Sequence, residues 1–149
     1  MSSSPRESAA ALKARALRLL ARREHSRDEL ARRLSPYAES AESLRGLLRE
    51  LEGGGQLSNE RFAESRARVL ARKYGPARIR QDLRAKGVAA DVVAVVIGTD
   101  ELERARGILA RRYRTAPRSR EERARRARFL HGRGFSADII HRLLLREEQ

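Results

Sequence analysis

The chain has 149 residues and carries 34 Lys and Arg against 20 Asp and Glu, a formal net charge of +14, which points to an anionic partner. It has no cysteine, so disulfides, thiolate nucleophiles and thiolate metal sites are excluded together. No stretch reaches the roughly 18 apolar residues of a membrane span, and the start, MSSSPRESAAALKARALRLL, lacks the apolar core of a signal peptide; a soluble cytoplasmic protein without a membrane partner is expected.

Residues 1–9 read as a disordered tail, being polar, containing Pro5 and lacking periodicity. A helix is predicted at about 10–24, with Leu17 and Leu20 on one face. The next starts after Ser26, where 26-SRDE-29 has the form of a capping box. Leu44, Leu47, Leu48 and Leu51 then follow i, i+3, i+4, i+7, one face of an amphipathic helix. Gly53-Gly54-Gly55 ends this part of the chain. A helix at about 59–73 carries Phe62, Val69 and Leu70, and Gly75-Pro76 puts proline at the first position of the following helix, whose inward residues are Ile79 and Leu83. The run 92-VVAVVI-97 favours a strand by β-branching alone. Gly98-Thr99-Asp100 marks another boundary, followed by a helix at about 100–113 with Leu102, Ile108 and Leu109. A longer helix opens at a second capping box, 119-SREE-122, and a last one at Ser136, with Asp138 in its first turn complementing the helix dipole.

Comparison within the chain resolves the strand-like run. A shift of 49 lays 34-LSPYAESAESLRGLL-48 over 83-LRAKGVAADVVAVVI-97, and a further 47 brings 130-LHGRGFSADIIHRLL-144 into the same frame. Glu42, Asp91 and Asp138 coincide, as do Leu44, Val93 and Ile140, then Leu47, Val96 and Leu143, then Leu48, Ile97 and Leu144. Three copies of one helix explain this, so 92–97 is predicted helical. The repeats are placed at 10–55, 56–99 and 100–149. The expected fold is all-α: three tandem three-helix repeats forming an elongated, curved body. A repeat this small is marginal alone and leans on its neighbours.

The charge is uneven. Net charges over 1–54, 55–99 and 100–149 are +3, +5 and +6, and residues 104–133 hold twelve Arg against Glu121 and Glu122. Arg supplies 31 of the 34 cations, and its planar fork binds phosphate or carboxylate bidentately. The competing explanation for any one Arg is a solvated helix face or a composition bias towards Arg and Ala. Phe62, Phe129 and Phe135 fall at core or helix-packing positions, so a stacking platform for single-stranded bases is not expected; contact with nucleic acid would be weak and made to the backbone.

Sites of chemistry are not evident. The chain contains no GxxxxGK[ST], GxGxxG or HExxH motif. Asp138 and His141 lie one helical turn apart but read as a helix start, and His25 with Asp28 and Glu29 as a capped corner. No metal, no cofactor and no catalytic residue are expected: the chain reads as a non-enzyme.

The segment 57-LSNERFAESRARVLARKYGPARIRQDLRAKGV-88 resembles the central signature of RecX regulatory proteins, an Asn-centred turn and a Phe-Ala helix start, then Arg, Gly, a basic-Ile helix, Leu and Lys-Gly. The flanking 26-SRDEL-30 with Leu34, and 133-RGFSADII-140, resemble the family as well. The chain departs from the pattern at Ser58-Asn59-Glu60, where many relatives carry Asn-Asp, and in the basic linker 114-RTAPRSR-120. The resemblance implies three helical repeats and a negative regulator of the RecA recombinase. Such a regulator lies in the groove of the RecA–DNA filament, blocks its extension and lowers ATPase and strand exchange. It implies that the partner is the filament; a monomer is expected separately, because no stretch of the chain resembles a coiled-coil seam. On that reading Arg72, Lys73, Arg78, Arg80, Arg84 and Lys86 would face the groove, and Arg111, Arg112, Arg114, Arg118, Arg120, Arg125 and Arg126 would extend the same positive surface. The alternative is a tandem helical module for duplex DNA, one helix entering the major groove.

Overall fold

The computed structural model describes residues 5–145. Among the described residues it contains nine α-helices, one short 3-10 turn at Ser35–Tyr37 and no strand. The helices are α1 (Ala9–Arg22), α2 (Arg27–Leu34), α3 (Ala41–Gly53), α4 (Asn59–Leu70), α5 (Pro76–Ala85), α6 (Ala90–Ile97), α7 (Glu101–Arg112), α8 (Arg120–Gly132) and α9 (Ala137–Leu144). The run 92-VVAVVI-97 is helical, as the repeat frame predicts against its β-propensity: the spacing of its inward face matters more than branching. By compactness the chain divides into two units, Met1–Ser65 with Lys86–Ala89, and Arg66–Ala85 with Ala90–Gln149.

In the first unit Leu12 and Ala16 of α1, Leu30 and Leu34 of α2, and Leu44, Leu47, Leu48 and Leu51 of α3 form one core with Leu57. Leu17, expected on the inner face of the first helix, is 38% exposed; Leu12 and Ala16, one turn apart, form that face instead. The helix starts are local. Ser8 accepts from the Ala11 amide, Ser26 from Glu29, and Ser40 from Ser43. The full capping box is at Ser40 and Ser43. At Ser26 only half of the expected box forms, because the Glu29 carboxylate accepts from Arg23 at 2.9 Å instead.

Residues 1–4 of the expected tail lie outside the described residues. Residues 6–9 do not behave as a tail. The Glu7 amide donates to the Tyr37 carbonyl at 2.8 Å, the Glu7 carboxylate binds Arg15 at 2.5 Å, and the Arg15 guanidinium lies 3.6 Å from the Tyr37 ring centroid. That hydrogen bond to Arg15 holds the Glu7 carboxyl below its ordinary pKa. The Asn of the signature turn has a definite role: Asn59 Oδ1 accepts the Arg27 amide at 2.8 Å, satisfying an amide at the start of α2 that the helix itself leaves open. Ser58 caps α4 by accepting from Arg61.

In the second unit Ala105, Ile108, Leu130, Phe135, Ile139, Ile140 and Leu144 form a core, and Ile79, Leu83 and Val93 are buried on α5 and α6. The turn between α8 and α9 is fastened to the start of α5. The Gly75 amide donates to the Arg133 carbonyl at 2.7 Å and the Ala77 amide to the Gly134 carbonyl at 3.1 Å. Gly134 has φ +96, and a Cβ there would stand 2.6 Å from the Arg78 nitrogen. In the first unit Gly87, its counterpart in the repeat frame, has φ +84 and sits against the Asp28 carboxylate at the start of α2. Both positions need glycine for the left-handed backbone and for the closeness of a helix start. The equivalent site in the first repeat, Ala38, has φ −74 and follows the 3-10 turn instead.

Candidate arginine interface

The two units contain equal numbers of acids and very different numbers of bases. The first has 13 Lys and Arg against 10 Asp and Glu, the second 21 against 10. Pairing differs too. In the first unit Lys13 meets Glu50, Arg15 meets Glu7, Arg23 meets Glu29, Arg27 meets Glu52 and Arg61 meets Glu24. In the second, Arg66 pairs with Asp82, Arg104 with Asp100 and Arg106 with Glu103. Arg72, Lys73, Arg78, Arg80, Arg84, Arg111, Arg112, Arg114, Arg118, Arg120 and Arg125 are exposed there and make no ion pair among the described residues.

Part of this charge is organised by aromatic rings. Tyr74, in the α4–α5 loop, has the guanidinium of Arg78 4.9 Å from its centroid and that of Arg133 5.5 Å away. Arg133 also lies 5.1 Å from Phe129, and Arg112 lies 5.3 Å from the same ring. Arg126 sits 4.3 Å from Tyr113, which meets Phe129 edge to face at 6.0 Å. Backbone carbonyls fix the rest: Arg104 donates to the Tyr74 carbonyl at 3.1 Å and Arg111 to the Arg72 carbonyl at 3.0 Å. A guanidinium held by a ring face keeps its N–H edges for a ligand, so little side-chain entropy remains to be lost on binding.

The predicted residues therefore fall into groups. Arg78, Arg112 and Arg126 lie on the rings of Tyr74, Phe129 and Tyr113 respectively, and Arg111 is tied to the backbone carbonyl of Arg72. Arg80 and Arg84 line a cleft between α5 and α6. Lys73, Arg114, Arg118, Arg120 and Arg125 are exposed outside both, the Arg118 amide donating to Glu122. Lys86 is half-buried in the turn that belongs to the first unit. Phe62 and Phe135 are buried as expected, and Phe129, half-buried, packs against the core of the second unit as expected while Arg112 and Arg133 lie over its ring. Arg104, Arg133, Tyr74 and Tyr113 were not legible as site residues. The one local signal was on α8, where Arg126, Phe129 and Arg133 recur at i, i+3, i+7 and share a stripe. Among the described residues no group of three His, Cys, Asp or Glu could hold a metal ion, and no helix is long and apolar enough to cross a membrane.

Fold and site together define an all-helical, tandem three-helix-repeat protein that carries a field of unpaired arginine. Residues 58–97 match the family model for the second three-helix domain of RecX, and residues 99–144 that for the third. Regulatory protein RecX of Leptothrix cholodnii is 44% identical over 136 residues, covering 89% of this chain and 87% of the relative. That of Ralstonia nicotianae is 43% identical over 136 residues, covering 89% and 86%. RecX from Lactobacillus salivarius has a solved structure that superposes with a TM-score of 0.79 at 22% identity, over 93% of this chain and 95% of that one. The chain belongs to the RecX family of regulatory proteins.

Proposed function

We propose that the chain is a negative regulator of the RecA recombinase, binding in the groove of the RecA–DNA filament, opposing its extension and lowering ATP hydrolysis and strand exchange. Family membership supports the partner. The observation that carries the reading beyond it is the surplus of exposed arginine without an ion pair in the second unit, where 21 bases stand against 10 acids and the first unit has 13 against 10. A filament groove presents protein carboxylates and, deeper, phosphates, and pre-oriented guanidinium edges suit both. Contact with adjacent recombinase protomers at once would oppose the rearrangement that growth and ATP turnover require. The chain then acts by binding, as a monomer, without a catalytic step, a cofactor or a membrane, and its contact with nucleic acid is weak and confined to the backbone. Electrostatic attraction accelerates encounter and makes binding sensitive to salt.

The test is a titration of the protein, below stoichiometric amounts, into RecA on single-stranded DNA while ATP hydrolysis is followed, with a bare duplex titration beside it. Falling hydrolysis is the expected result. Tight, sequence-selective duplex binding without an effect on hydrolysis would replace this reading by that of a duplex-binding helical module.

A further inference from the structure

The helix α6, ADVVAVVI, is almost wholly apolar, yet Val93 is its only buried residue among those described. Val95 is 80% exposed, and Ile97 is half-buried. Its counterparts in the repeat frame, Leu48 and Leu144, are 2% and 6% exposed. At the positions of Ala94 and Val95 the first repeat has Arg45 and Gly46, and the third His141 and Arg142. Only the middle repeat has an aliphatic surface at this place.

Val93, Ala94 and Ile97 of this helix, though not Val95, line a cleft of about 410 Å³ with Arg80 and Arg84 beside them. The two arginines are one helical turn apart, a spacing of roughly 5–6 Å between Cβ atoms, and neither makes an ion pair among the described residues. Asp82, between them in sequence, does not neutralise them: its two oxygens each accept from Arg66 at 3.0 Å. An aliphatic cleft with two uncompensated guanidinium groups is complementary to an aliphatic side chain flanked by carboxylates. Nucleic acid fits less well. The cleft offers no aromatic face for a base, and a phosphate backbone has no aliphatic group to fill it.

We propose that the cleft between α5 and α6 docks an acidic, leucine- or isoleucine-bearing segment of a partner protein, the aliphatic side chain in the cleft and carboxylates on Arg80 and Arg84. This deepens the reading above by naming what the partner must present, and it rests on that reading only for the partner's identity.

The experiment follows fluorescence anisotropy of fluorescein-labelled ELLEELLEELLE with the full chain, against polyglutamate of equal length and with an oligo-dT competitor. Arg80→Gln with Arg84→Gln is expected to weaken the leucine peptide about tenfold or more, a change of ~1.4 kcal/mol. Ala94→Trp, which fills the cleft, does the same, and Ala94→Gln serves if the tryptophan variant loses helicity. Arg45→Gln with Arg49→Gln removes equal charge elsewhere and leaves binding unchanged. Polyglutamate binding as tightly as the leucine peptide, indifference to the Ala94 substitutions, or displacement by oligo-dT at matching concentration would each overturn the proposal. The ATPase titration reads separately. Inhibition without peptide binding sinks the cleft and leaves the filament reading intact, whereas peptide binding without inhibition does the reverse.

Discussion

Gly134→Ala and Gly87→Ala make a paired test of how the turns are fastened to helix starts. Both glycines have positive φ, +96 and +84, so alanine at either incurs roughly 1–2 kcal/mol of left-handed strain, offset in part by about 0.4–1 kcal/mol from a stiffer unfolded chain. The surroundings then separate them. At Gly87 the obstacle is the Asp28 carboxylate, 2.1 Å from the new Cβ, the end of a side chain that can rotate away. At Gly134 the obstacles are the Arg78 nitrogen at 2.6 Å and its Cβ at 2.7 Å, parts of α5 that move only with the helix. Moving α5 also threatens the Gly75–Arg133 and Ala77–Gly134 hydrogen bonds, each with a net value of about 0.5–1.5 kcal/mol. The expected loss is therefore about 2–4 kcal/mol for Gly134→Ala and about 0.5–1.5 kcal/mol for Gly87→Ala. Urea unfolding followed by far-UV circular dichroism measures both. Equal losses, or a loss at Gly134 below about 0.5 kcal/mol, would refute the claim that the α8–α9 turn is locked to the backbone of α5.

Leu83 is fully buried on α5, so Leu83→Ala should lose about 2–5 kcal/mol in the same assay, and a cost below about 0.5 kcal/mol would contradict the helix register. His25 is 2% exposed, with its Nδ1 lacking a hydrogen-bond partner; burial, aided by the Arg23 charge and opposed by Glu29, depresses its pKa. The unfolded chain therefore binds this proton more readily, so the contribution is complete above about pH 6.5 and is lost as pH falls towards the folded value. The melting temperature should drop on acidification from about pH 7 to about pH 5.5, less so for His25→Gln; a wild-type curve no steeper than the variant's would refute it. Reversing Arg111 and Arg112 to Glu should raise the amount of protein needed to restrain RecA hydrolysis about tenfold, as should added salt; inhibition unaffected by either would remove the arginine field from the mechanism.

Helix identity was written along the chain. Ser26, Ser119 and Ser136 are N-caps in the structure and Pro76 is the first residue of α5, because capping needs only a side chain and an amide a few residues on. The repeat frame gave the helical state of 92–97, since a shared inward face reflects the same packing need in each copy. Family resemblance was likewise carried by short segments, and Asn59 has a contact to account for its place in one of them.

Other features depend on residues that are distant in sequence. Residues 6–9 read as part of a tail because the anchors of Glu7, Tyr37 and Arg15, lie outside that stretch. The arginine candidates were an undivided list along the chain, and only the fold set Arg112 and Arg133 on one phenylalanine ring and Arg111 on the carbonyl of Arg72. The exposure of Ile97 was unreadable for the same reason: its repeat counterparts are buried, and whether a helix face is covered is decided by what folds against it. Sequence specifies local hydrogen bonding and periodicity, which act over a few residues. Charge compensation and burial are sums over neighbours in space, so they acquire values only once the chain has folded.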